Sequence, residues 1–235
     1  PPPVTAPPAT APPAAAAATP TADPAGDSEG ALNALPEHRV FRPAAERSAV
    51  TSVLMSEVLA QGDMGFAVAG LAPAGVSTAL SLWGDADHQA TYLPEFVGES
   101  VPAAALALLE KRPLFDPFRL RTTARAQSGG YVLEGAKSLV PRAADSELFI
   151  VAARLENRGP ALFVVECSST GVMVAPEPAM GIRAAATGTL TLEDVQLPAA
   201  ALLGDGDPEI YRECVQLGRL AWCALAVGTA QAVLD

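Results

Sequence analysis

Tyr131-Val-Leu-Glu-Gly-Ala-Lys-Ser-Leu-Val140 is where the chain reads as strand rather than helix. Beyond Val101 the apolar residues follow a two-residue period, the spacing of a chain that shows alternate side chains to opposite faces of a sheet. Further short runs flank it: AALALL (104–109), RLRTTARAQ (119–127), ELFIVAA (147–153), ALFVVE (161–166), VMVAP (172–176) and TLTLEDV (189–195). Gly129-Gly130, Asn157-Arg-Gly-Pro160 and Ser168-Ser-Thr-Gly171 punctuate them as turns. Short, evenly spaced strands with glycine turns predict an antiparallel barrel or sandwich.

Outward from this region the pattern becomes helical. From Ala44 to about Glu99, Val50, Val53, Leu54, Val58 and Leu59 mark one apolar helix face, ended by Gly62-Asp63. A second apolar helix spans Phe66 to Trp83, and Asp85 is placed to cap a short third one. From Pro208 helical spacing returns and runs to the last residue without a stop signal, so the expectation is that sequence is missing beyond it. At the other end, nine of the 22 prolines fall in the first 24 residues. That stretch reads as an extended interdomain linker, with a disordered tail as the alternative. The expected division is a Pro/Ala-rich linker (1–33), a partial N-terminal helical domain (34–100), a middle β-barrel (101–204) and the first helix of a truncated C-terminal bundle (205–235). The fold class is α+β, multi-domain.

Composition limits the partners. A net charge of -11 repels phosphate backbones and argues against nucleic acid. Cys167, Cys214 and Cys223 fit no zinc or redox spacing and read as buried free thiols of a cytoplasmic protein. With only His38 and His88, neither a histidine metal site nor a Ser-His-Asp triad is expected. No stretch reads as long and apolar enough to span a membrane, and no signal peptide opens the chain.

Several segments, in order, resemble the acyl-CoA dehydrogenase family. Gly84-Asp-Ala-Asp-His-Gln-Ala-Thr-Tyr-Leu-Pro94 is similar to its GTxEQKxxYLP segment, and Tyr131–Lys137 to its YxLNGxK hairpin. Ala144-Asp145 with Val151-Ala-Ala-Arg154 resembles its AD…VxAR strand. Met180-Gly-Ile-Arg183, Thr187, Leu192-Glu-Asp-Val195-Gln-Leu-Pro198 and Leu202-Leu-Gly204 resemble KMGxRxSxT…FEDVxVPxxNLLG. Gly218-Arg219 and Ala226–Asp235 look like the start of its C-terminal helical domain. The resemblance covers about residues 44–235. It implies an FAD-linked oxidation of an acyl-CoA thioester to 2-enoyl-CoA, in fatty-acyl or sterol side-chain breakdown, by an oligomeric protein. A carboxylate removes the α-proton while hydride leaves to the flavin, so base, thioester and ring must be held in contact.

The departures fall at the implied flavin contacts. The family's TEPxAGSD loop appears as Leu109-Glu110-Lys-Arg-Pro-Leu-Phe115-Asp116, preceded by Leu106 where an aromatic is usual and Leu108 on the same strand. Its K-x-WIT motif appears as Lys137-Ser-Leu139-Val140-Pro141. Thus Leu106, Leu108, Leu109, Phe115, Leu139, Val140 and Pro141 occupy the implied cofactor positions, with three hydroxyl donors and the K-x-WIT tryptophan ring lost. Each lost bond is worth on the order of 1 kcal/mol. The apolar replacements predict a cleft filled by its own side chains, though backbone amides near Leu108 and Leu109 offer another hold.

Phe115, Gln216 and Arg219 fall at the implied substrate positions, where Arg219 meets the CoA end or forms a structural ion pair. No catalytic residue is assigned: Gly218 stands where part of the family carries its glutamate, most members carry it far downstream, beyond residue 235, and Glu213 lies on another helix face. No metal is implied. Arg183 is expected to tie the β-domain to the helices, and Trp83 and Trp222 to lie in the core. Three readings stay open: an acyl-CoA dehydrogenase, a non-catalytic half or subunit paired with an active dehydrogenase, and a flavin-dependent oxidase or monooxygenase of the same fold.

Overall fold

The computed structural model describes residues 49–112 and 114–234. The linker assigned to residues 1–33, the first part of the N-terminal helical domain and Asp235 lie outside the described residues.

Three helices come first: α1 (Ala49–Gly62), α2 (Met64–Trp83) and α3 (Ala86–Tyr92). Asp63 divides the first two, because its carboxylate accepts the Phe66 amide at 2.8 Å and starts α2. Asp85 caps α3 in the same way through the His88 amide, as its sequence position suggests. Seven strands follow: β1 (Ala104–Ala107), β2 (Thr123–Gln127), β3 (Gly130–Val140), β4 (Leu148–Leu155), β5 (Gly159–Glu166), β6 (Val172–Pro176) and β7 (Gly188–Pro198). The long helix α4 (Pro208–Leu234) closes the described chain.

The strands form one curled sheet in the order β1-β4-β2-β3-β7-β6, with β5 on β4. The hairpins β2–β3 and β4–β5 and the pairs β3–β7 and β6–β7 are antiparallel. The pairings β1–β4 and β2–β4 are parallel, so the sheet is mixed, not purely antiparallel. A two-residue period exposes strands but not their directions, and parallel neighbours require a long connection. Here that connection contains the loop after β1 and the β2–β3 hairpin. Gly135 has φ +145, and a Cβ there would lie 2.7 Å from the Thr122 Cα, so this hairpin position admits only glycine.

One face of the sheet curls around Leu133, Phe149, Phe163, Leu190 and Leu192. The other carries Ile150 and Leu162 against Val76 and Leu80 of α2 and Tyr211 of α4. Strand β4 is therefore covered on both faces, which explains its unbroken apolar run.

Several expectations need correction. Val50, Leu54, Val58 and Leu59 of α1 are exposed; the helix meets α4 through Ser56 and Ala60 instead. A Cβ on Gly228 of α4 would fall 2.0 Å from the Glu57 carbonyl oxygen, so close backbone approach, not apolar bulk, sets this contact. Trp222 is 45% exposed and Cys223 is exposed, whereas Trp83 and Cys214 are buried and Cys167 is intermediate. Arg183 is exposed; its turn is anchored by neighbouring Ala185 against Ala67 and Val68 of α2. Two helices, α2 and α4, are long and apolar enough by length and composition to cross a membrane, contrary to expectation. Much of α2 is spent on the sheet through Val76, Ala79, Leu80 and Trp83.

Candidate functional site

The site begins where β1 ends. Past Ala107 the chain runs on beside β3, and the Ser138 amide donates to the Leu109 carbonyl at 3.0 Å. This places Leu108 and Leu109 next to Lys137–Leu139, so the two implied flavin motifs do meet. Lys137 is fully buried, and its Nζ lies 3.0 Å from Glu110 Oε1 and 3.5 Å from the Leu108 carbonyl. The Glu110 carboxylate also accepts the amides of Arg121 and Thr122. Burial pulls the Lys137 amine down to about 8, against the Glu110 charge that raises it. Burial pushes the Glu110 carboxyl up, but the Lys137 charge and the two amides outweigh it and leave it below its ordinary value.

The apolar replacements divide into two sets. Leu106, Leu108 and Phe115 pack toward the α2–α4 core, with Leu106 touching the backbone line of α2 at Gly75. Val140 is buried under the sheet, and Pro141 follows it in a partly covered turn. Leu109 and Leu139 remain 39% exposed each. Inward packing thus accounts for only part of the expected filling.

Glu177 is a residue that sequence reasoning did not single out. It lies between β6 and β7, yet its carboxylate reaches the bulged end of β3. It accepts the Ser138 hydroxyl at 2.8 Å, the Leu139 amide at 3.0 Å and the Thr189 hydroxyl at 2.8 Å. Leu139 is left-handed there, with φ +54, which is what turns its amide toward Glu177. Burial raises the Glu177 carboxyl, but the Leu139 amide, the two hydroxyls and the Lys111 charge lower it overall. No sequence signal marks this role, because the contact spans 38 positions.

These contacts decide how the site suits a flavin. The Ser138 hydroxyl and Leu139 amide are committed to Glu177, and Pro141 has no amide to offer. Leu109, Phe115 and Leu139 offer no side-chain donors. The residues present do not fit the ring as the family motif would hold it.

The implied substrate residues are not gathered around this edge by any bond. Gln216 and Arg219 are exposed on α4, and Phe115 lies inward beneath the Arg112 guanidinium, 5.1 Å from its ring centre. Glu213 accepts the Trp83 indole N–H at 3.1 Å and is occupied structurally. A Cβ on Gly218 meets nothing within 4 Å, so the space beside it is open.

Residues 105–195 match the family model described as acyl-CoA dehydrogenase, middle domain. The chain is 32% identical to the mitochondrial short/branched chain specific acyl-CoA dehydrogenase of Rattus norvegicus, over 81% of this chain and 45% of that protein. A probable acyl-CoA dehydrogenase of Bacillus subtilis is 30% identical over 68% of this chain and 27% of that one. The chain thus spans less than half the length of these relatives. Among solved structures, an acyl-CoA dehydrogenase complexed with FAD from Bacillus anthracis superposes with a TM-score of 0.68 at 32% identity, covering 79% of this chain and 33% of that one. Butyryl-CoA dehydrogenase from Megasphaera elsdenii gives 0.71 at 26% identity, over 80% and 51%. A curled strand domain set between helices, the paired edges at Leu109 and Ser138, and this similarity on both sides of residues 105–195 together show that the chain belongs to the acyl-CoA dehydrogenase family.

Proposed function

We propose that this chain serves an acyl-CoA dehydrogenase-type assembly as a non-catalytic half or subunit, supporting a copy or partner that carries the flavin and the base. The observation behind this reading is the Glu177 carboxylate, which consumes the Ser138 and Leu139 donors at the edge where the family motif meets its cofactor. Dehydrogenation of a thioester also needs a carboxylate beside the α-carbon, and Gly218 stands at one of the family's positions for it. What the fold retains is shape: the Glu110–Lys137 pair still clasps the two motif strands together. The place of action is the cytoplasm, where thiols such as Cys167 and Cys214 persist unpaired.

A second reading is a catalytic acyl-CoA dehydrogenase acting with FAD on an acyl-CoA substrate, the remaining contacts coming from elsewhere in the whole protein. Its support is the 32% identity to a relative named as such. Purification of the whole protein separates the two. The first reading expects a colourless protein alone and a yellow, active complex with its partner. Stoichiometric flavin on the isolated protein, with acyl-CoA-dependent dye reduction, establishes the second.

A further inference from the structure

Helix α3 and the ends of β5 and β7 line a cavity of about 320 Å³, at the lower end of the size range of small-molecule pockets. Its buried lining is apolar, with Val164 of β5 and Leu197 of β7. Its charged lining is acidic: Asp85 and Asp87 at the start of α3, and Glu166 at the end of β5. No lysine or arginine lines it. Here the chain also departs from the family segment GTxEQKxxYLP, whose glutamine and lysine are His88 and Gln89. A cation is lost from α3 and an imidazole is gained.

That imidazole is only 7% exposed, and it lines the cavity. Its Nδ1 lies 2.8 Å from the Asp85 oxygen that also accepts the His88 amide. A carboxylate there requires the proton on Nδ1, so Nε2 of the neutral ring is an acceptor. Nε2 has no partner among the described residues and is not sealed in the interior, so its lone pair faces the cavity. The Tyr92 hydroxyl, which could have donated, is committed to Glu166 at 3.1 Å. The cavity therefore offers negative charge and a buried acceptor, and what complements it is a cationic donor. No three His, Cys, Asp or Glu side chains among the described residues converge as a metal ion needs, and an apolar lining suits hydrocarbon. The acids stand at both ends of α3, since Asp85 precedes it and Glu166 meets its last residue, Tyr92. Seven residues of helical rise put those ends about 10 Å apart. A chain with an ammonium at each end matches two acidic poles.

We propose that this cavity binds a linear aliphatic diamine, with one ammonium at Asp87 and His88 Nε2, the other at Glu166, and the hydrocarbon along Val164 and Leu197. The test is calorimetric titration of the whole chain with 1,5-diaminopentane, beside 1-aminopentane, 1,5-pentanediol and zinc chloride. The diamine is expected to bind one-to-one, less tightly as salt rises. The monoamine is expected to bind about tenfold more weakly, and the diol not at all. Glu166→Gln leaves the Tyr92 hydroxyl an acceptor, so it removes the charge without removing that contact. Glu166→Gln and Asp87→Asn are each expected to weaken the diamine by about tenfold, with unchanged thermal melts. His88→Leu is expected to weaken it as much, and if that variant fails to fold the two carboxylate variants still decide the matter. Glu156→Gln, an exposed acid outside the cavity, is expected to leave binding unchanged. No binding of the diamine, equal binding of the monoamine or the diol, or carboxylate variants that bind like the unaltered chain overturn the proposal. So does zinc binding that Glu166→Gln and His88→Leu abolish, which would make the cavity a metal site.

Discussion

The Lys137 ammonium and the Glu110 carboxylate meet at 3.0 Å with their side chains 0% and 4% exposed. Each charge is out of water and depends on the other, so removing one leaves its partner uncompensated. Lys137→Met is expected to cost about 3–5 kcal/mol in chemical denaturation. Lys137→Met combined with Glu110→Gln is expected to recover part of that loss, because the amide keeps an acceptor for Arg121 and Thr122 without a buried charge. A single variant as stable as the unaltered chain would show that the pair contributes nothing.

The same pair sets an acid limit. The Glu110 carboxyl is lowered in the folded state, as is that of Glu177. As pH falls below the ordinary carboxyl value, the unfolded chain therefore takes up protons before the folded one, and stability declines with pH. Their contribution is fully present above that range and disappears as pH passes below the lowered folded values. Unfolding midpoints across the acidic range should fall less steeply in the Glu110→Gln, Glu177→Gln double variant.

Gly228 tests the other joint. A methyl group placed there would fall 2.0 Å from the Glu57 carbonyl, so Gly228→Ala must push α1 away from α4 despite its better helix propensity. A loss of about 1–3 kcal/mol is expected, as for other overpacked contacts. Gly218→Ala on the same helix, with open space around it, is expected to gain up to about 1 kcal/mol. Thermal melts of the two variants moving in opposite directions would bear this out.

These residues also show what the sequence made legible. Strands β1 to β7 could be read because alternation and glycine turns are local signals. Asp85 as a cap could be read for the same reason. The parallel pairing of β1 and β2 with β4 could not, since it depends on how distant segments return. The inner face of α1 was misread because small residues pack it: Ser56 and Ala60 carry little hydrophobic weight, yet they let backbones approach. At the site, Leu109 and Leu139 stood out as departures from a motif. Glu177 did not, since one carboxylate among many acids gains its role only where three donors converge.

Glu177 itself makes a prediction about the β3 bulge. Glu177→Gln keeps the volume but replaces a charged acceptor, and its partly solvated position limits the cost to about 1–2 kcal/mol. Amide exchange at Leu139 should quicken, since its N–H loses a charged partner. Protection at Leu139 unchanged from the parent would show that the carboxylate does not hold the bulge.

The last prediction concerns what restores a flavin. Returning the family's polar groups through Leu109→Thr, Phe115→Ser, Leu139→Trp and Pro141→Thr replaces the lost hydroxyls and the lost ring. It does not release the Ser138 hydroxyl or the Leu139-position amide, which Glu177 still holds. Leu106 also remains packed against α2 at Gly75. The fourfold variant is therefore expected to bind FAD only weakly. Adding Glu177→Ala, which removes the acceptor, should tighten binding by about tenfold, the equivalent of one hydrogen bond to a polar group. Fluorescence quenching in an FAD titration reads all three proteins: the parent, the fourfold variant and the fivefold variant. If the parent already binds at low micromolar concentration, Leu109 and Leu139 tolerate the ring and the donors held by Glu177 are not needed. If the fourfold and fivefold variants bind alike, Glu177 does not compete for the site. Only a stepwise gain, largest on the final substitution, supports a cleft closed by the Glu177 carboxylate as well as by its leucines.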